Sequence, residues 1–177
     1  YHPNAVIWPN SKMMLDCSES DLDTVIYHHH RPNIELNPIR DEVKVVGYEG
    51  SESYLGKWAD EIRKHCKSRG WEFVVNEGTH ADWDLCVAFR DVEYNGYAQR
   101  NWKSNVKLAN AHGSGTPFIG AFESGYIESD TGAEVYCSAP DRLGAFFHFM
   151  SDYETRFAIS EAFIHGKYGI EKASMDM

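Results

Sequence analysis

No apolar run in the chain is long enough to cross a membrane as a helix, which takes about 20 residues. No charged and then apolar opening of the secretory kind is present either. A cytoplasmic setting is the expectation. Positive charge is scarce: 17 Lys and Arg stand against 27 Asp and Glu, a formal net charge of −10. That balance excludes a surface that coats nucleic acid or an anionic membrane, but it leaves room for one local basic pocket. The four cysteines, Cys17, Cys66, Cys86 and Cys137, are scattered and form no Cys-x-x-Cys pair. Packed, reduced thiols are expected rather than a disulfide framework or a zinc site. The common nucleotide fingerprints are missing, both Gly-x-Gly-x-x-Gly and the Gly-Lys-Ser/Thr P-loop. No carboxylate spacing marks a hydrolase, and no Ser-His-Asp set can be assigned. His28, His29 and His30 adjoin, so on an extended chain they alternate faces and cannot all serve one metal. No bound metal is expected.

Hydrophobic residues make up 42% and aromatics 14% of the 177 residues, enough for a sizeable core. The opening segment holds a short apolar run at residues 5–8, a short helix over 12–17 and a short strand over 24–27. A Pro-bracketed connector follows at about 31–41. Residues 1–41 are therefore read as an appendage and linker, and 42–177 as the domain. From Glu42 a regular alternation sets in. Strands are expected at 43–47, 71–75, 84–89, 117–122 and 134–137. Helices are expected at 54–69, from about 103 to the Gly-Ser-Gly-Thr-Pro turn at 113–117, at 126–129, at 140–151 and at 152–166, with a frayed helix as the tail. Leu55, Trp58, Ile62 and Cys66 mark the buried face of the first helix, and Gly70 ends it. Residues 91–102 read as a polar, aromatic loop. Short, continuously apolar strands alternating with helices predict a Rossmann-like, doubly wound, mainly parallel sheet flanked by helices on both faces.

Residues 103–120 carry the most specific pattern. Ser104 is the expected N-cap. At about 100° per residue, Lys103, Lys107, Asn110 and Ser114 form one narrow polar stripe. Val106, Leu108, Ala109 and Ala111 fill the rest of the circumference. A helix with a wide apolar arc is largely buried. Its polar edge either lines a cleft suited to a phosphorylated ligand or lets the lysines snorkel to solvent. In open α/β sheets, ligands sit beyond the carboxyl ends of the strands. Gly50 and Ser51 follow the first core strand, where small residues allow a phosphate to approach backbone amides. Arg90 follows the 84–89 strand and suits bidentate contact with phosphate. Glu123, Ser124 and Gly125 follow the 117–122 strand, with Glu123 able to accept from ligand hydroxyls. A receiver-like domain would need acidic residues after the first strand and an Asp ending the third, where this chain has Gly47-Tyr48-Glu49 and Arg90.

Ala111-His112-Gly113-Ser114-Gly115-Thr116-Pro117-Phe118-Ile119, with Glu123-Ser124-Gly125-Tyr126-Ile127-Glu128 after it, resembles the nucleotide-sugar-binding half of GT-B glycosyltransferases of the group 1/family 4 kind. The likeness spans about residues 43–166. It implies one half of a GT-B fold that binds a nucleotide-diphosphate sugar and transfers the sugar to an acceptor. It places the diphosphate against Gly50, Ser51, Arg90, Lys103 and Lys107. The ribose falls near Asn110 and the sugar near Glu123, Ser124 and Gly125. Neither metal nor other cofactor is implied, because helix dipole and cationic side chains stabilise the leaving diphosphate. Two departures stand out. Many retaining members carry a glutamate where this chain has Asn110. The opening segment is also too short for an acceptor domain, so the acceptor half would come from a separate chain or from self-association. The alternative is a non-catalytic nucleotide- or sugar-binding module of the same fold. The catalytic residues, the base and the acceptor do not follow from the sequence.

Overall fold

A computed structural model of the protein describes residues 12–13, 25–94 and 96–166. The expected run at 5–8, most of the 12–17 helix and the tail helix lie outside these residues. Five parallel strands form one sheet: β1 (Val45–Tyr48), β2 (Glu72–Val75), β3 (Leu85–Ala88), β4 (Phe118–Gly120) and β5 (Val135–Tyr136), in the order β2-β1-β3-β4-β5. The register pairs Val46 with Phe73 on one side and with Leu85 on the other, and Val87 with Ile119. This is a parallel α/β sheet with helices on both faces, and every residue of β3 and β4 is buried.

Helix α1 (Lys57–Arg69) links β1 to β2 and buries Trp58, Ala59, Ile62 and Cys66. It starts later than its periodicity suggests. A 3-10 turn (Glu52–Tyr54) comes first, and Gly56 sits at a φ of 48°. The first-turn amide of Lys57 then donates 2.8 Å to Asp91, three residues past β3, which caps the helix from a distance in sequence. The 91–102 stretch is less irregular than expected, with a 3-10 turn (Val92–Tyr94) and helix α2 (Tyr97–Asn101). Helix α3 (Val106–Ser114) begins after Asn105 rather than Ser104, so Lys103 lies in the preceding loop. Helix α4 (Ser124–Glu128) joins β4 to β5. The expected 140–151 helix divides into a 3-10 turn (Pro140–Arg142) and α5 (Leu143–Phe149), and α6 (Tyr153–Ile164) closes the fold. Asp152 caps α6 through the Thr155 amide at 2.8 Å.

Helix α5 packs on α1, and α6 packs on α3. On the first face Phe147 meets His65 and Trp71, and on the second His112 meets Phe163 at 4.6 Å. The link from β2 to β3 has no helix, and its Trp83 indole lies where a Cβ on Gly47 would overlap it. Cys66, Cys86 and Cys137 are free and buried, and burial pushes the Cys66 and Cys86 thiols up to about 12. No helix among the described residues is long and apolar enough to cross a membrane.

Residues 25–27, expected as a strand, take no regular structure. The connector is instead tied to α3 by polar contacts. Asn105 holds both backbone groups of His28, donating to its carbonyl at 3.2 Å and accepting from its amide at 2.9 Å. Asn37 donates to the carbonyls of His80 and Trp83 and to Thr116, while its amide donates to the Ser114 carbonyl. Asp84, ahead of β3, accepts from the amides of Lys44 and Val45 and from Arg40. The fully buried Arg156 donates to the carbonyls of Arg40 and Asp41 at 2.7 and 2.8 Å. Charged hydrogen bonds of this kind contribute about 1.5–3 kcal/mol each.

His80 sits inside this strap, fully buried against Trp83, with Arg31 3.4 Å from its Nδ1. Burial, helped by the Arg31 charge, takes its imidazole from 6.5 down to about 3. The unfolded chain therefore binds the extra proton first, and His80 contributes stability above pH 6.5 that is lost as pH falls toward 3. His80→Asn should show the smaller acid sensitivity in urea unfolding. Between pH 6.5 and about 4.5 the parent should lose about 2–3 kcal/mol more than the variant. Equal pH slopes would remove His80 from the acid response.

Candidate functional site

The connections from β1 and β3 leave the sheet in opposite directions, which opens a crevice between the carboxyl ends of those two strands. Tyr48, the last residue of β1, is almost fully buried, and its hydroxyl donates to the Ser51 carbonyl at 3.3 Å. Gly50 has a φ of 136° and is bracketed by Asn76, which accepts from its amide at 2.7 Å and donates to its carbonyl at 2.9 Å. The Gly50 amide is therefore engaged within the protein. What Gly50 supplies is space: a Cβ there would lie 3.2 Å from the Tyr48 hydroxyl and 3.4 Å from the Lys107 ammonium.

Lys107 reaches this point from α3, with its ammonium 5.3 Å from the centre of the Tyr48 ring. Burial, and then the Arg90 charge, lower its pKa. Arg90, two residues past β3, lies over the Tyr54 ring and donates from Nε to Glu123 at 3.2 Å. The Glu123 side chain is 3% exposed, and its second carboxylate oxygen is buried with no partner. Burial raises its pKa, and Arg90, Lys107 and Lys103 oppose the rise without cancelling it. Two cations and one half-satisfied carboxylate thus share a water-poor crevice. The set suits a ligand that carries both anionic groups and hydroxyl donors.

Gly50, Arg90, Lys107 and Glu123 are brought together. Ser51 is exposed on the rim, with its hydroxyl 2.8 Å from that of Ser53. Lys103 is exposed in the loop before α3, near enough to act on Glu123. The Ser124 hydroxyl donates to Asn101 at 2.9 Å. Gly125 packs under that same loop, where a Cβ would lie 2.5 Å from the Lys103 carbonyl. Asn110 is 2% exposed and engaged on both sides: its oxygen accepts from the Arg31 amide at 3.0 Å, and its nitrogen donates to Glu49 at 3.2 Å. Tyr48, Glu49 and Tyr54 belong to the crevice but carry no motif. Their one sequence signal is position, at the end of an apolar strand or in the segment that follows it.

Arg90 also borders a second cleft of about 420 Å³, at the carboxyl ends of β3, β4 and β5 beside the start of α1. A larger, open concavity of about 730 Å³ lies at the amino ends of β1 and β2, the end of a parallel sheet that ligands seldom use. Among the described residues, no three His, Cys, Asp or Glu side chains converge to hold a metal. Set against protein-family models, curated proteins and solved structures, the chain matches none.

Arg90→Met strands the Glu123 carboxylate in a buried site. A carboxyl raised by burial binds its proton more tightly folded than unfolded, so the cost should relax at low pH. The expected loss in urea unfolding is about 3 kcal/mol near pH 8 and progressively less as pH falls and the raised carboxyl takes up its proton. A loss independent of pH would mean that Glu123 is not the group left uncompensated.

Proposed function

We propose that the chain binds a nucleotide-diphosphate sugar in the β1–β3 crevice and, with an acceptor-binding half, transfers the sugar as a GT-B-like glycosyltransferase. The observation that carries this reading is the meeting of Gly50, Arg90, Lys107 and Glu123 at the switch point of the sheet. These residues come from separate elements of the chain, and their chemistry is what a diphosphate sugar requires. Arg90 and Lys107 take the diphosphate, with Ser51 and Lys103 at the rim. The free oxygen of Glu123 accepts from a sugar hydroxyl. Asn110 acts on the ribose side by holding Glu49. In transfer, the bond from the anomeric carbon to the diphosphate breaks, and the two cations stabilise the charge that builds on the leaving group. They do so best in a site that excludes water.

A second reading, a binding module without transfer, is favoured by one observation. Both carboxylates at the crevice, Glu49 and Glu123, are already hydrogen-bonded to neighbours. Calorimetric titration with UDP-, GDP-, ADP- and CDP-linked sugars should find one that binds. Lys107→Ala should weaken the nucleoside diphosphate by about tenfold and the bare nucleoside far less. No binding by any of the four defeats both readings. Binding without hydrolysis or transfer selects the module.

A further inference from the structure

The second cleft has a chemistry of its own. Its apolar lining includes Trp58, stacked on Phe89 with ring centres 4.0 Å apart, and Ala121 and Pro140. Two apolar side chains at its edge remain open to solvent, Val92 at 80% and Phe122 at 56% exposure. Phe122 leans on Tyr136 at 5.2 Å and so presents its ring from a fixed support. Lys57, Arg90 and Arg100 stand around this floor. One carboxylate shares the cleft, Asp91, and its two oxygens accept from the amides of Lys57 and Glu93 at 2.8 and 3.3 Å. Asp91 is thus committed to capping α1 and its own turn. The Arg100 guanidinium is exposed and pairs with no acid among the described residues.

With Arg90 committed to Glu123, Lys57 and Arg100 are two cations gathered at this cleft on a chain of net charge −10, and they mark a site for an anion. A small hydrated anion would leave the exposed Phe122 and Val92 uncovered. A neutral apolar ligand would desolvate Arg100 and Lys57 with nothing in return. We propose that this cleft binds a small phosphate ester bearing an apolar ring, with the phosphate toward Arg100 and Lys57 and the ring against Phe122 and Val92. Guanidinium groups suit phosphate through paired, parallel hydrogen bonds. The cleft volume suits a ligand of one or two rings. The site is separate from the nucleotide-sugar reading except at Arg90, which borders both.

Fluorine-detected NMR titration of the full chain with 4-fluorophenyl phosphate tests this. Binding should saturate. Inorganic phosphate and 4-fluorobenzyl alcohol, which keep the charge or the ring alone, should each bind at least about tenfold more weakly. Arg100→Gln and Phe122→Ser should each weaken the aryl phosphate by about tenfold. Both variants should keep the parent melting temperature and the parent affinity for any nucleotide sugar that binds. Unchanged aryl phosphate affinity in either variant, or inorganic phosphate binding as tightly as the ester, would overturn the proposal. Aryl phosphate binding in a protein that takes no nucleotide sugar would leave this site standing and remove the donor reading instead.

Discussion

Right-handed crossovers from β1 to β2 and from β3 to β4 run in opposite directions from adjacent strands, so α1 and α3 fall on opposite faces of the sheet. The loops that leave β1 and β3 therefore part, and the gap between them is the crevice that holds Tyr48, Gly50, Arg90 and Lys107. Everything else at the carboxyl edge depends on that divergence. Helix α3 points Lys107 back over β1 because it starts on the far side of the gap. Glu123 meets Arg90 because β3 and β4 are neighbours and their ends lie side by side. The second cleft opens on the α1 side of the same edge, where the segments after β3, β4 and β5 fan out beside the capped start of α1.

Two buried glutamates meet opposite fates. Glu123 and Glu134 are both buried glutamates, and both would be raised by burial. Glu134 ends at about 2, because hydrogen bonds from His112 and Asp130 reverse the effect of burial. The amides of Thr131, Gly132 and Ala133 also donate to it. Glu123 has one donor, Arg90, and its pKa stays raised although three cations surround it. The number of hydrogen bonds to the charged form decides between the two outcomes. Glu134 is a satisfied bracket between α3 and the approach to β5. Glu123 is left with one buried carboxylate oxygen that no donor among the described residues satisfies.

The parallel sheet was legible because β3 and β4 are buried on both faces and read as unbroken apolar runs. Helix α1 was legible from Leu55, Trp58, Ile62 and Cys66, all of which are buried. Its start was not, because the cap is Asp91, 34 positions away in sequence. The same limit explains Ser104. A local rule favours its hydroxyl as the cap, but the helix begins one residue later, with the Asn105 amide occupied by His28. Helix α2 was missed because its five residues are too few to show a period. Arg90 and Glu123 were legible because the rule for strand ends is topological and needs no contact information, and Lys107 because it falls on the polar stripe of α3. Tyr48 and Glu49 were passed over because neither residue type signals a ligand on its own.

The polar stripe of α3 illustrates how one local pattern serves two long-range purposes. Lys107 goes to the crevice. Asn110 and Ser114 are buried under the connector, Asn110 through the Arg31 amide and Ser114 through the amide of Asn37. Sequence alone presented these positions as a single cleft edge, since helical spacing carries no sign of what covers a face. The division has a mechanical consequence. Asn110 joins the connector to Glu49, and Glu49 stands one residue past β1 at the mouth of the crevice. A glutamate at position 110 could accept from the Arg31 amide but could not donate to Glu49, and two carboxylates would then face each other in a buried site at a cost of several kcal/mol. The amide is thus the residue type that this connector and this crevice jointly require.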